Sequence, residues 1–451
     1  MKLAGHWAGL SAGLLAGRRS AREEMTQEEQ MLRTATLILL AFGAVMVYSA
    51  SSGTSLLSHD GDSSQYLKRY LVSAALGLLA LRFFARNGMR FAQQATPLVM
   101  LAAFAGLLLV LVPGFGIEAN GSRRWLGAGP LQMQPSEVAK LALVLYAAML
   151  LATQPQRARS LGGVRPILLV AGAMAVLIVA QPDLGTTMVI MLSVFALLIA
   201  GGVSMRHLGM LAGGLIGLAL IAAVLEPYRR ERLTAFIDPW SDPEGSGFQS
   251  VQAMIAIGSG GFFGVGLGES VQKLFYLPEA HTDMILAVIG EELGFAGISV
   301  VLFLYGMIAY AGLRAARTAK DHYAKLLAAG ITSVILIQAI VNFFAVLGVL
   351  PLTGVPLPFI SYGNSNLIVL LAGMGILINV AHEGGRAARK PRLRVIEGKG
   401  RGASGASAPA AASAPPPRSA IRPTDAKNRD SGRRDRRARR AGAGGRRRAA
   451  G

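Results

Sequence analysis

Apolar and polar positions alternate along this chain on the scale of whole helices. Mostly apolar runs of seventeen or more residues recur at about 33–52, 69–85, 95–112, 136–153, 165–181, 185–202, 208–226, 283–311, 326–350 and 365–383. Each is long enough to cross a hydrocarbon layer of about 30 Å as a helix. The pattern therefore predicts an all-α polytopic membrane protein with about ten transmembrane helices. The eighth run exceeds what a bilayer needs, so it should tilt, or its first turns should stand proud of the hydrocarbon. One connection differs in kind: residues 227–282 form a 56-residue loop, rich in glycine and arginine, between helices 7 and 8. Within it, FQSVQAMIAIGSGGFFGVGLG (248–268) predicts an interfacial helix followed by a flexible turn. Gly264, Gly266 and Gly268 imitate part of a nucleotide fingerprint, but no strand precedes them, so nucleotide binding is not inferred.

Charge orients this arrangement. Arg82, Arg86 and Arg90, then Arg157, Arg159 and Arg165, then Arg206, then Arg314, Arg317, Lys320 and Lys325 fall in alternate short connections. The positive-inside rule makes those connections cytoplasmic, with both termini, and makes the 227–282 loop extracellular. The expected organisation is a cytoplasmic segment (1–32), a transmembrane domain (33–385) and a disordered basic cytoplasmic tail (386–451). Residues 391–451 carry 17 Lys or Arg against 4 Asp or Glu, so most of the formal net charge of +20 sits in this tail. It is too poor in large apolar residues to fold and suits an anionic membrane leaflet; nucleic acid is not implied. With 52% hydrophobic and 16% charged residues, a soluble core is excluded. No cysteine is present, which removes disulfides and thiolate chemistry, and the six histidines are scattered, which argues against a built-in metal site.

Ionisable residues in or beside membrane spans are functional candidates by default. The leading one is Asp283, where the long loop runs into the eighth span in YLPEAHTDMILAVIGEELG (276–294). Glu291 lies about 12 Å farther along a helix and some 80° around it, and Glu292 points nearly opposite. These carboxylates form no acid/base dyad with Asp283, so Glu291 and Glu292 are expected to hold helices together. His281, two residues before the acid, is a candidate to orient it. In NGSRRWLGAGPLQMQPSEVAKLALVLYAAML (120–150), Glu137 and Lys140 share a helix face and are expected to pair, close to an outer loop bearing Arg123 and Arg124. Asp183 is expected to face outward from the tight turn of VAQPDLGTTMV (179–189). Arg229, Arg230 and Arg232, with Lys273, are outer-face cations suited to a pyrophosphate or another anionic group. The Pro-rich connection NFFAVLGVLPLTGVPLPFISYGNSNL (342–367) should form a rigid cap over a cavity mouth.

At these residues the chain resembles the SEDS family (shape, elongation, division and sporulation). GSRRW with QPSEVAK, QPDLGT, DPW with GSGG and GVGLG, KLFYLPEAHTD with GEELG, and PLPFISYG occur in family order between about 35 and 385. KLFYLPEAHTD is closer to the division-type FtsW branch than to the elongation-type RodA branch. The resemblance implies a peptidoglycan glycosyltransferase of the cytoplasmic (inner) membrane, at the division septum. Such an enzyme polymerises lipid II onto a nascent glycan, releases undecaprenyl pyrophosphate, and works with a class B penicillin-binding protein and other division proteins. It places the essential acid on Asp283, the cavity pair on Glu137 and Lys140, and structural roles on Pro358, Ser361 and Gly363. No cofactor is built in, although a divalent cation (Mg or Mn) with the substrate pyrophosphate is compatible with it. Asn364 departs from the family pattern by replacing a glycine, and a left-handed backbone there is one that Asn tolerates. A lipid II flippase and a non-catalytic scaffold are the rival readings.

Overall fold

The computed structural model describes residues 25–58, 62–119, 122–128, 131–156, 160–225, 234–274 and 276–389. Arg229, Arg230, Arg232, Arg157, Arg159, most of the predicted N-terminal segment and the basic tail beyond 389 lie outside these residues. Helices α1 (Gln27–Ser58) and α2 (Gln65–Leu111) are followed by strands β1 (Ile117–Ala119), β2 (Ser122–Ala128) and β3 (Leu131–Met133). Then come α3 (Pro135–Thr153), α4 (Leu161–Val179), α5 (Leu184–Ala200), α6 (Met205–Leu225), α7 (Phe248–Gly260), α8 (Ile285–Thr318), α9 (His322–Val346) and α10 (Asn364–Arg389).

Every predicted span falls on a helix, with the second and third sharing α2. Among the described residues seven helices are long and apolar enough to cross a membrane, and α5 is a shorter apolar helix. The protein is an all-α polytopic membrane protein. Its burial pattern says the same: Leu79, Leu98, Leu101, Val176 and Phe303 are each at least 65% exposed, as lipid-facing residues are. The interior packs Leu39 and Met46 of α1, Leu143 of α3, Leu197 of α5 and Ile285 to Ile289 of α8 against one another and against α9 and α10.

At 47 residues α2 would be about 70 Å long if straight, more than two hydrocarbon thicknesses. It breaks at Gly88 (φ 72°, ψ −175°), leaving 23 residues on each side. Asn379 of α10 splices the break: Met89 N donates to its Oδ1 (3.3 Å) and its Nδ2 donates to Ala85 O (3.0 Å). The freed backbone groups are thus satisfied by protein, as a lipid surround demands.

The excess length of α8 is divided by a break. Gly294 (φ 64°, ψ −161°) divides it into a segment of nine residues, 285–293, and one of 24, 295–318. The second alone spans about 36 Å. The first is buried except for Leu293. The glycine-rich turn expected to be flexible is bonded into this break instead. Val265 N and Gly266 N donate to Glu291 O and Glu292 O (2.9 and 3.1 Å), while Phe295 N and Ala296 N donate to Gly261 O and Phe262 O (both 3.0 Å). α7 packs along α8, with Ile257 and Gly260 against Gly290, and leaves Phe262 and Phe263 exposed beyond it.

The connection between α2 and α3, which the hydropathy pattern predicts only as a loop, carries a three-stranded antiparallel sheet in the order β1-β2-β3. At the opposite end of the bundle Glu28 pairs with Arg314 (2.8 Å), and Glu29 pairs with Arg33 (2.7 Å) and His382 (2.9 Å), tying α1 to α8 and α10. α1 therefore begins at Gln27, ahead of the predicted start at 33.

A Cβ at Gly294 would collide with Gly264 N and the Phe262 carbonyl, in a backbone conformation that L side chains avoid. Gly294→Ala is expected to cost about 1–3 kcal/mol of stability, read as a lowered unfolding midpoint in detergent. An unchanged midpoint would show that the junction between α8 and the 261–266 turn is not held as described.

Candidate functional site

The centre of the site is a ladder of side-chain amides on α9. Gln338 and Asn342 stand four residues apart, so they share one face of the helix, and both are buried. On the lower rung, Lys140 Nζ donates to Gln338 Oε1 (2.7 Å), and Gln338 Nε2 donates to Pro356 O (2.9 Å) and Asn366 Oδ1 (3.0 Å). On the upper rung, Asn342 Nδ2 donates to Asp283 O (2.7 Å) and Val355 O (2.8 Å). One helix face thus fixes the acidic residue, the cationic residue and the Pro-rich connection over them.

Glu137 and Lys140 pair at 2.8 Å, with side chains only 2% and 3% exposed. Their position follows from the sequence: Gln134 caps α3, Pro135 occupies its first turn, and the i, i+3 spacing brings the two groups together. The pair stands within a helix turn or so of the end of β3, and Gln134 N donates to Ser365 Oγ (2.9 Å) at the start of α10.

Asp183 does not face outward as expected from its turn. It is 3% exposed and caps α5, accepting from Thr186 N at Oδ1 (3.0 Å) and from Gln134 Nε2 at Oδ2 (3.0 Å). A Ser, Thr, Asp or Asn before a helix is recruited to its free N–H groups, which turns this side chain inward. Arg123 and Arg124 are adjacent on β2 and so point to opposite faces. Arg124 bonds Gln181 O (3.2 Å) and Pro182 O, clamping the Asp183 turn to the sheet. Arg123 makes a cross-strand pair with Glu118 (3.0 Å) and remains 47% exposed.

Asp283 lies in the turn immediately before α8, half-buried, and not within the span itself. Thr282 Oγ1 donates to its Oδ1 (3.1 Å), and a Cβ built on Gly354 would lie 4.0 Å from its Oδ2, so the 347–363 connection covers the carboxylate. That connection is pinned from below by Tyr305 to Pro358 O (2.5 Å) and Tyr70 to Phe359 O (2.6 Å), and internally by Leu357 N to Ser361 Oγ (2.7 Å). A Cβ at Gly363 would meet Asn366 and Pro356 at ordinary van der Waals distance, 3.7–4.0 Å, without a clash. Asn364 opens α10 with an ordinary right-handed backbone, and its Oδ1 accepts from Ser73 (2.9 Å); the left-handed conformation considered for it does not arise.

His281 sits between Tyr66 (4.2 Å between ring centroids) and Tyr362 (5.5 Å), and its carbonyl accepts from Tyr362 N (3.0 Å). Burial holds its pKa below the ordinary value, partly opposed by the Glu279 carboxylate.

Lys273, read as an outer-face cation, is 5% exposed and points inward. Its Nζ meets Glu292 Oε1 (2.7 Å), Ser49 Oγ (3.2 Å) and Gly268 O (2.5 Å). Desolvation explains the change: a lysine stem long enough to reach the buried Glu292 charge neutralises it there. Glu291 accepts from Ser270 Oγ (2.5 Å) and Val271 N (3.0 Å). Both glutamates join the long loop to α8.

Residues 29–385 match the cell cycle protein family of FtsW, RodA and SpoVE. Stage V sporulation protein E of Bacillus subtilis (strain 168) is 41% identical over 79% of this chain and 97% of its own length. The probable peptidoglycan glycosyltransferase FtsW of Thioalkalivibrio sulfidiphilus (strain HL-EbGR7) is 43% identical, over 78% of this chain and 89% of its own. The chain belongs to the FtsW, RodA and SpoVE family. Solved structures agree with this. A chain from a peptidoglycan synthase complex, described for the structural coordination of polymerization and crosslinking, superposes with a TM-score of 0.64 at 33% identity, covering 78% of this chain and 97% of that one. Thermus thermophilus rod shape determining protein RodA gives 0.57 at 29% identity, covering 78% and 96%.

Within this family fold, sequence reasoning missed Gln338 and Asn342. The available signal was two carboxamides at helical spacing inside an otherwise apolar span, where each must find partners. It also missed Gln134, whose partner Asp183 is 49 residues away.

Two outcomes are expected. Lys140→Met alone should cost about 3–5 kcal/mol by stranding a buried carboxylate, whereas adding Glu137→Gln should recover much of the loss; chemical unfolding of the four forms in detergent measures the coupling, and additive losses would deny it. Because the folded pKa of His281 is depressed, its contribution is complete above about pH 6.5 and is lost as pH falls through the folded value. The melting temperature should drop more between pH 7.5 and 5 for the parent protein than for His281→Phe.

Proposed function

We infer that this chain is a peptidoglycan glycosyltransferase in which Asp283 is the general base. The observation that carries the mechanism is the α9 ladder, which fixes Asp283 and the buried Glu137–Lys140 pair on one helix face beneath the Pro-rich cover. In the reaction we propose, Asp283 takes the proton from the sugar 4-hydroxyl of one lipid-linked disaccharide. The freed oxygen attacks the anomeric carbon of the growing, lipid-linked chain, and the bond to undecaprenyl pyrophosphate breaks on the opposite face. One displacement inverts the configuration at that carbon, and the proton leaves Asp283 for solvent.

The leaving pyrophosphate needs positive charge nearby. Lys140 is committed to Glu137 and Gln338, so its part is to keep the cavity wall intact and close to neutral. Arg123, half-exposed on β2, supports direct anion contact better; Arg229, Arg230 and Arg232, expected to share that task, lie outside the described residues. Among the described residues no group of three or more His, Asp or Glu gathers. A Mg or Mn ion at Asp283 would therefore take most of its remaining ligands from the substrate's phosphates and water.

The FtsW and SpoVE relatives, with the KLFYLPEAHTD residues, support a division-type enzyme acting at the septum on lipid II. The likeness to a chain of a peptidoglycan synthase complex supports a class B penicillin-binding protein as cross-linking partner, with other division proteins around them. The rule on basic connections supports cytoplasmic termini and an outer-face position for Asp283.

Asp283→Asn is expected to lower glycan polymerisation at least a hundredfold with the protein still folded. The measurement is product length from lipid II with purified protein and its transpeptidase partner. Strands of normal length from this variant would remove Asp283 from the chemistry, and no polymer from either form would return the reading to a flippase or scaffold.

A further inference from the structure

Two buried polar atoms beside Asp283 have no protein partner. Asn342 is 1% exposed, and both hydrogens of its Nδ2 are committed, one to Asp283 O and one to Val355 O. That fixes which way the carboxamide faces and leaves Oδ1 buried without a donor. The Oγ1 of Thr353 is buried and unpartnered as well. Thr353 adjoins Gly354, the residue that covers the Asp283 carboxylate, and its backbone carbonyl crowds Gly185 just past the Asp183 turn. An unpartnered acceptor thus stands on the helix that holds Asp283 by its main chain, and an unpartnered hydroxyl on the connection next to Gly354.

A buried acceptor left unmade is unfavourable, and each such orphan calls for an explanation. Elsewhere on this ladder the polar atoms of Gln338 and Asn366 meet each other, and Lys140 meets both Gln338 and Glu137.

We propose that Asn342 Oδ1, with Thr353 Oγ1 beside it, is a sugar-recognition subsite that accepts a hydrogen bond from a donor on the attacking disaccharide and holds its reacting hydroxyl against Asp283. The donor is an O–H or an acetamido N–H of that sugar. This rests on the glycosyltransferase reading of Asp283. Asn342 then has two tasks: its nitrogen sets the position of Asp283 through the main chain, and its oxygen touches substrate. A structural role alone would use the nitrogen and leave substrate discrimination untouched.

The test is a set of lipid-linked disaccharides, each lacking one donor of the attacking sugar: single deoxy analogues at hydroxyls other than the reacting one, and one with an N-methylated acetamido group. Polymerisation kinetics are measured with the parent protein and with Asn342→Ala, whose folding is checked by thermal unfolding. One analogue should lose about ten- to a hundredfold in kcat/KM with the parent. The same analogue should lose little more in Asn342→Ala, because the bond is already gone. Which analogue responds separates the hydroxyl from the acetamido source. If every analogue is penalised by the same factor in both proteins, Asn342 is structural and the proposal is overturned. Should Asn342→Ala fail to fold, the parent series still decides: no analogue reduced by more than about twofold overturns the subsite. Failure of the parent to polymerise the unmodified disaccharide would count instead against the enzyme reading itself.

Discussion

Polar groups buried in a membrane-embedded bundle have to be answered by other protein groups, because the hydrocarbon around them offers none. On the α9 ladder most polar atoms meet this constraint, although Asn342 Oδ1 does not. Lys140 and Glu137 neutralise each other, Gln338 ties that pair to the Pro-rich connection, and Asn342 ties the same connection to the residue that carries the acid. Removing a member would leave another member desolvated and unpaired, which couples the site to the stability of the bundle. The acid itself is the exception in placement: Asp283 stands in a turn at the edge of this network, half-buried.

The same constraint governs the two interrupted helices. A break in the middle of a lipid-exposed helix would leave N–H and C=O groups without partners. At Gly88 the carboxamide of Asn379 supplies both the donor and the acceptor, and at Gly294 the backbone of residues 261–266 does. The second junction also draws the long loop into the bundle, reinforced by Lys273 on Glu292 and by Ser270 on Glu291. The loop that bears the acid is therefore an integral part of the fold, and the short buried helix 285–293 that follows Asp283 is held on the α1 side as well, through Ser49.

Much of this was legible from residue order alone. Spans declare themselves because twenty apolar residues in water are too unfavourable to leave exposed, and the Glu137–Lys140 pair declares itself because three residues apart on a helix is a contact distance. Asp283 stood out because an acid at the mouth of an apolar run requires a reason. Beyond that reach, the misassigned residues share a cause: their partners are distant in sequence. Lys273 reads locally as a surface cation, yet Ser49 and Glu292 surround it; Asp183 reads as a turn residue facing solvent, yet Gln134 closes over it.

Sequence by itself determined the solvent each segment prefers, the helices that follow from it, and the residues whose chemistry is too unfavourable in lipid to be incidental. Those are local properties, set by transfer free energy and by the 3.6-residue turn. Only the tertiary structure decided which charges are consumed by partners and which remain to meet substrate, where long helices break, and that two amides on α9 hold the site together. Those outcomes depend on which groups come within about 3 Å of each other after packing, a distance that no local pattern encodes.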